Sequence, residues 1–165
     1  MLIWFAAGSA VIVWAVFQSP AVDYRMVMLG SVLPLVEVPF GAGFLQTLLA
    51  PCLALGIVMA ATVGRRLVRR RYLGIPIGMF LHLVLAGAWA NKEVFWWPIG
   101  GGTLYADPSP VVDHGIWSVV LELIGIGLAV WAYRRFGLED KARRDRFLRT
   151  GQLDREFVPG ERRVS

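Results

Sequence analysis

The composition of this 165-residue chain excludes an ordinary soluble domain. Hydrophobic residues make up 56% of it, charged residues only 18%, and the mean hydropathy is +0.57, which is typical of one compact helical membrane domain. The net charge of +5 comes from two basic blocks beside apolar stretches, as at the cytoplasmic face of a membrane protein, and we expect no nucleic-acid partner. A single cysteine, Cys52, excludes an internal disulfide and a multi-cysteine metal site.

Four apolar stretches predict an all-α integral membrane protein, a bundle of four spanning helices. The first stretch has about sixteen residues, the short limit for a span at about 1.5 Å per residue. It lacks the positively charged beginning of a cleaved signal peptide, so we interpret it as an uncleaved helix. The spans are expected at 2–18, 43–63, 72–90 and 116–133.

A further apolar segment, residues 26–40, lies between the first and second spans and contains Pro34, Glu37 and Pro39. Two prolines so close together argue against one straight spanning helix, because each removes a backbone donor and restricts the residue before it. We therefore expect a short re-entrant or interfacial helix on the extracytoplasmic side.

Basic residues set the predicted orientation. The loop after the second span carries five arginines, Arg65, Arg66, Arg69, Arg70 and Arg71. Such a loop is expected in the cytoplasm, while Trp96 and Trp97 suit the opposite headgroup layer. The domain 1–135 would then be followed by a basic cytoplasmic tail, 136–165, helical to about Thr150. We predict a bacterial inner-membrane protein with both termini in the cytoplasm.

Two polar residues lie inside predicted spans, His82 in the third and Glu122 in the fourth. Each belongs to a stripe of small residues, a kind of helix face that lets another backbone approach closely. The stripes are Gly74, Gly78, His82, Ala86 and Ala90, and Ser118, Glu122, Gly125 and Ala129. Both polar residues lie roughly 13 Å from the loop that joins the two helices, at about 1.5 Å per residue. We therefore expect His82 and Glu122 to be partners across an antiparallel helix pair.

Glu37 is the third candidate, because its segment is expected to fold over the bundle. An imidazole nitrogen and carboxylate oxygens can hold zinc or another divalent ion, so His82, Glu37 and Glu122 form a candidate metal site. The structural alternative is a polar network that fixes how the helices pack. Asp113 and His114, before the fourth span, are either a further acid and ligand pair or a helix cap.

Two stretches of the chain resemble a known family. GSVLPLVE at residues 30–37 and HLVLAGAWANKEVFWWP at residues 82–98 resemble two blocks of the small bacterial membrane proteins described as membrane-bound metal-dependent hydrolases. By this resemblance His82 matches the histidine of the later block, Trp97 and Pro98 match its ending, and Glu37 matches the second acidic position of the first block.

Three positions depart from the pattern of that family. Leu35 stands where the first acid is expected, Gln46 lies near the position of an expected histidine, and Ala86 replaces the aspartate four residues after His82. The resemblance therefore implies a degenerate member that has lost several ligands or acid and base groups.

Two functions follow as hypotheses. The first is a bacterial inner-membrane protein whose polar centre serves structure or partner binding, with other membrane proteins or further copies of the chain recruited through the small-residue faces and the basic tail. The second is a metal-dependent hydrolase that acts at the extracytoplasmic face on a lipid-linked or phosphorylated substrate through a metal-bound water. The sequence contains no HExxH or serine-elbow motif that would identify an enzyme.

Overall fold

The computed structural model describes residues 1–17, 22–100, 104–105 and 115–153, and every regular element in these ranges is a helix. The α-helices are α1 (Leu2–Phe17), α2 (Tyr24–Val32), α3 (Leu49–Ala61), α4 (Arg66–Tyr72), α5 (Gly74–Leu85), α6 (Lys92–Phe95), α7 (Trp117–Arg135) and α8 (Lys141–Thr150). Short 3-10 helices are Leu33–Phe40, Phe44–Gln46 and Ala88–Ala90. The all-α prediction is confirmed for the described residues, and the membrane location stays a prediction.

Helix α2 continues directly into the 3-10 helix Leu33–Phe40 because of its prolines. Pro34 lies in the first turn, where a missing backbone N–H is tolerated, and Pro39 lies inside the tighter helix. Gly41 ends the segment with a φ of +108°, a conformation that favours glycine. At about 1.5 Å per α-helical residue and about 2.0 Å per 3-10 residue, the two helices together extend roughly 30 Å, the thickness of a bilayer core.

The two ends of this segment lie at opposite ends of the bundle. Asp23, just before α2, pairs with Arg71 of α4 at 3.3 Å between carboxylate and guanidinium. Glu37 accepts a 2.7 Å hydrogen bond from the Leu45 amide, and the whole of α3 separates Leu45 from α4. The predicted re-entrant helix on one side is therefore wrong, because the prolines change the type of helix and do not turn the chain back.

Helices α1 and α7 run parallel. The Ile3 amide donates to Glu122 near the start of α7, at 3.2 Å, and the Trp14 ring lies 6.1 Å from that of Trp131 near its end. Residue 1 and the described part of the tail, residues 136–153, therefore lie at opposite ends of the bundle, and the prediction that both occupy one face is wrong. Of the described chain, five helical segments run between the ends, where the sequence predicted four.

The bundle is organised around α1, α2 and α5. Helix α2 packs along α5, α1 lies against both, α7 packs on α1, and α3 packs on α5. Val13, Tyr24 and Val27 form one part of the core, and Phe5 and Ala86 form another. The helices that surround the buried polar residues are thus the three that contact one another.

A glycine ends α5 earlier than predicted. Helix α5 stops at Leu85 because Gly87 adopts a φ of +66°, so the expected span 72–90 is shortened. Gly137, with a φ of +61°, separates α7 from α8. The tail helix ends at Thr150, where the sequence predicted its end.

Much of the apolar surface lies on α7. By length and composition, α7 is the one helix in the described ranges that could cross a bilayer, and α1 and α3 are apolar but shorter. All 19 residues of α7 are described, and Gly125 alone is buried. Exposed apolar side chains lie on most sides of it. One stripe, at spacings of three and four, is Val119, Leu123, Ile126, Val130 and Tyr133, and Trp117, Val120, Ile124 and Trp131 are exposed beside it.

Candidate functional site: the buried polar centre

A polar centre lies where α1, α2 and α5 meet, and it consists of Ser9, Ser31 and His82, all fully buried. The two serine hydroxyls are 3.1 Å apart. Ser31 also reaches the Phe5 carbonyl oxygen at 3.1 Å, and the Nδ1 atom of His82 lies 2.7 Å from the Ser31 carbonyl oxygen. One residue from each helix therefore joins a single hydrogen-bonded group.

Glycines bring the backbones of α2 and α5 close enough for this contact. A Cβ atom at Gly78 would overlap the Val27 carbonyl oxygen, and one at Gly30 would overlap the Ile75 carbonyl oxygen. Neither neighbour can give way easily, because both are backbone atoms. The stripe that includes Gly78 and His82 is therefore a packing face as predicted, but its partner is α2 and not α7.

The protonation of His82 follows from its neighbours. A carbonyl oxygen can only accept, so Nδ1 carries the hydrogen, and the Nε2 atom is then the acceptor of a neutral ring. Within the described part of the chain, Nε2 is buried and has no hydrogen-bond partner. The Phe5 ring, with its centroid 4.2 Å away, covers the imidazole. A charged imidazole would lack a counter-ion in this apolar setting, so the neutral form is favoured.

The contacts of the centre do not form a nucleophile and base pair. His82 contacts the backbone oxygen of Ser31, whereas activation of a serine needs a base that accepts from its hydroxyl. The hydroxyls of Ser9 and Ser31 lie 3.1 Å and 2.8 Å from the carbonyl oxygens of Ala6 and Met28 one turn earlier. The arrangement is suited to holding helices together.

Glu122 has a different partner from the one predicted. Its carboxylate accepts from the amides of Ile3 and Trp4, at 3.2 and 3.3 Å, and pairs with the Met1 amine at 3.1 Å. The first amides of a helix have no partner within the helix, and a carboxylate is favourable there. Glu122 therefore caps α1, and α1 lies between it and His82.

Glu37 lies in a third place. Its two oxygens accept from the Leu45 amide at 2.7 Å and from the Tyr105 hydroxyl at 3.2 Å, so it fixes the turn that follows the 3-10 helix. Gln46, the other polar candidate, is buried beside this turn. Glu37 and Glu122 thus serve different parts of the fold, and neither contacts His82.

The predicted metal site of His82, Glu37 and Glu122 is not formed. Among the described residues, no group of three or more His, Cys, Asp or Glu could hold a metal ion. The physical reason is that each carboxylate is engaged by backbone amides of a different segment, which sequence spacing alone could not indicate. Asp113 and His114 lie outside the described residues.

The residues predicted to mark the two interfaces lie at opposite ends of α5. Trp96 is half exposed, and Trp97 packs edge-on against Phe44 with centroids 6.4 Å apart. The arginines sit at the other end on and beside α4. They are Arg65, Arg66, Arg69, Arg70 and Arg71, and Arg71 is paired with Asp23.

Sequence reasoning missed Ser9, Ser31 and Asp23. The two serines occupy otherwise apolar helices, and serine in that setting often bonds across helices, which was the available signal. Asp23 caps α2 by accepting from the Arg25 amide at 3.1 Å. Its position before an apolar helix is that of a typical N-cap residue.

Comparisons with protein-family models, curated proteins and solved structures found no match to this chain. The resemblance to membrane-bound hydrolases therefore stays a prediction. The structure shows the surroundings of two residues that depart from the family pattern. Ala86 is buried against Phe5, and Leu35 packs against Phe5 and Ala86. The positions where that resemblance would place acids thus belong to one apolar cluster beside His82.

Proposed function

We propose that this chain is a non-catalytic bacterial inner-membrane protein whose polar centre holds three helices together and whose outer surface binds another membrane helix. The structural role of the polar centre is supported by the apolar packing beside His82. Leu35 and Ala86, at the acid positions implied by the resemblance, pack around Phe5, and Phe5 covers the His82 ring. A metal that activates water would need further nitrogen or oxygen ligands beside His82, and apolar side chains fill this place.

The hydrolase hypothesis receives no support from the donor atoms. A working zinc centre needs about three protein ligands around one point. His82 offers a single buried nitrogen, while Glu37 and Glu122 are committed elsewhere.

The outer face of α7 is the partner-binding surface in this proposal. The small-residue faces of α5 and α7 are already used inside the molecule, because Gly78 packs on α2 and Gly125 packs against Trp4. We therefore do not propose those faces as the partner-binding surface. The exposed stripe of α7 repeats at three and four residues, the spacing by which one helix packs along another.

The packing of α7 against a neighbour on one side only is a second observation that supports a partner-binding surface on this helix. Of the described elements, α1 is the main neighbour of α7, so most of its circumference has no protein cover. In lipid, helices associate chiefly through close side-chain packing. A regular apolar stripe on a helix with one neighbour is suited to receive another helix.

Site-specific photo-crosslinking in native membranes tests this function. A benzophenone amino acid replaces Leu123 on the α7 stripe, or Ile57 on α3 as the control, and the two residues are 63% and 67% exposed. The proposal expects protein adducts from position 123 and only lipid adducts from position 57. An adduct of twice the chain mass would identify a second copy as the partner. Equal protein adducts from both positions, or none from position 123, would contradict the proposal.

A further inference from the structure

A basic pocket of about 350 Å³ lies at the end of the bundle where α2, α4 and α8 meet. Its charged lining is Asp23, Arg25, Arg70, Arg71 and Arg149. These residues come from separate parts of the sequence, and the fold gathers them around one space. Its volume falls within the range of small-molecule sites, roughly 300 to 1,000 Å³.

The wall of the pocket is held in place by Asp23 and Arg25. Asp23 pairs with Arg25 at 3.2 Å and with Arg71 at 3.3 Å. Arg25 also donates to the carbonyl oxygens of Leu148 and Arg149 at the end of α8. A further 2.9 Å hydrogen bond, from the Tyr24 amide to the Gly151 carbonyl oxygen, fastens α8 to the start of α2.

The charge of the pocket is not balanced by its own residues. One carboxylate faces four guanidinium groups. Arg70 and Arg149 are both exposed, and neither forms an ion pair within the described part of the chain. A planar guanidinium offers paired donors that match phosphate oxygens, and two or more of them can bind one phosphate from different sides.

We propose that this pocket binds a phosphate group, supplied by the headgroup of an anionic phospholipid or by a soluble phosphate compound. Its place at the arginine-rich end of the apolar bundle fits a lipid source, because basic pockets at the cytoplasmic ends of membrane helices bind anionic headgroups. A bound phosphate would neutralise Arg70 and Arg149 and link α4 to α8. The proposal is independent of the partner surface on α7.

Two double variants of equal charge test the proposal on the full-length protein in an uncharged detergent. R70Q/R149Q removes two arginines from the pocket, and R65Q/R66Q removes two exposed arginines of the same region that do not line it. Native mass spectrometry measures bound phosphatidylglycerol, with phosphatidylcholine as the reference, and thermal unfolding measures binding of inorganic phosphate.

The pocket variant is expected to lose at least about tenfold in affinity, because two charge-assisted contacts disappear. The control variant should change less than about threefold at 0.15 M salt, where distant charges are screened. Selective loss of phosphatidylglycerol identifies a lipid headgroup, and selective loss of inorganic phosphate identifies a soluble ligand. R70K/R149K should fall between the wild type and R70Q/R149Q.

Equal losses in the two double variants would overturn the proposal, because they would show attraction to general surface charge. Phosphatidylglycerol binding no stronger than that of phosphatidylcholine, together with no response to phosphate, would also overturn it. All variants should unfold at the same temperature without ligand, since the substituted side chains are exposed. Crosslinking from position 123 of α7 is expected to be unchanged in every variant, so the two proposals fail separately.

Discussion

The contact between α2 and α5 and the outer face of α7 both combine glycine with apolar residues, yet they are built for different surroundings. At Gly78 a neighbouring backbone touches the helix so closely that a Cβ atom would overlap it. At Gly127 nothing lies within 4 Å. The first surface is closed by the chain itself, and the second is left to whatever surrounds the protein.

This difference explains where polar atoms are found. A buried polar group is costly unless a hydrogen-bond partner is already in place. Ser31 and His82 lie where three helices supply such partners. The exposed stripe on α7 contains apolar and aromatic side chains, which suits contact with lipid or with another helix.

The largest effect is expected from leucine at the two glycines. Gly78→Leu should cost more than about 4 kcal/mol of unfolding free energy, because backbone atoms of α2 must move away. Gly127→Leu should be neutral or slightly stabilising, since leucine is the better helix former. Thermal unfolding in detergent compares the two variants. Similar stabilities would show that α2 and α5 do not approach as described.

A smaller loss is expected at the polar centre. His82→Ala removes the contact to the Ser31 carbonyl oxygen and leaves a cavity beside Phe5, with an expected cost of about 2–4 kcal/mol. Phe80→Ala, on the exposed side of the same helix, should cost clearly less. The same unfolding measurement checks this prediction. A larger loss for Phe80→Ala would contradict a supporting role for His82.

The cap of α1 should contribute less again. Glu122→Gln keeps the shape of the side chain but removes its charge from the Met1 amine and the first amides of α1, with an expected cost of about 1 kcal/mol. Glu139→Gln, at an exposed position after α7, is the control and should have no effect. Hydrogen exchange of the Ile3 and Trp4 amides should rise only in the first variant. Equal exchange in both variants would argue against the cap.

The smallest effect on stability is expected on the stripe of α7. Leu123→Ala and Ile126→Ala should each change the unfolding free energy by less than about 0.5 kcal/mol, because both side chains are exposed. In the partner proposal, Ile126→Ala should nevertheless reduce the protein adducts formed from position 123. Unchanged protein adducts together with unchanged stability would show that Ile126 does not contact the partner, which would contradict binding through this stripe.

The sequence was sufficient to predict the all-helical fold and the bounds of α1 and α7 to within a few residues. Apolar runs of that length, closed by polar residues, have a direct relation to helix length. It also identified Gly78 and His82 as members of one packing face. These features could be predicted because each depends only on residues close together in the sequence.

The sequence could not show which helices pack together or in which direction each one runs through the bundle. The sequence predicts Glu122 and His82 at equal depth, but equal depth does not show which helix lies between two residues. The prolines in the segment after α2 suggested a reversal, whereas a 3-10 helix accommodates both of them. Because that segment runs from one end of the bundle to the other, residue 1 lies at the end opposite to the one predicted.

In the proposed function, the centre around His82 is structural and holds no metal. Elemental analysis of protein purified from membranes without chelator, for the wild type and His82→Asn, tests it most directly. We expect divalent metal far below one ion per chain in both proteins and an unfolding temperature of the wild type that EDTA does not change. A stoichiometric ion in the wild type that is lost in His82→Asn would contradict it.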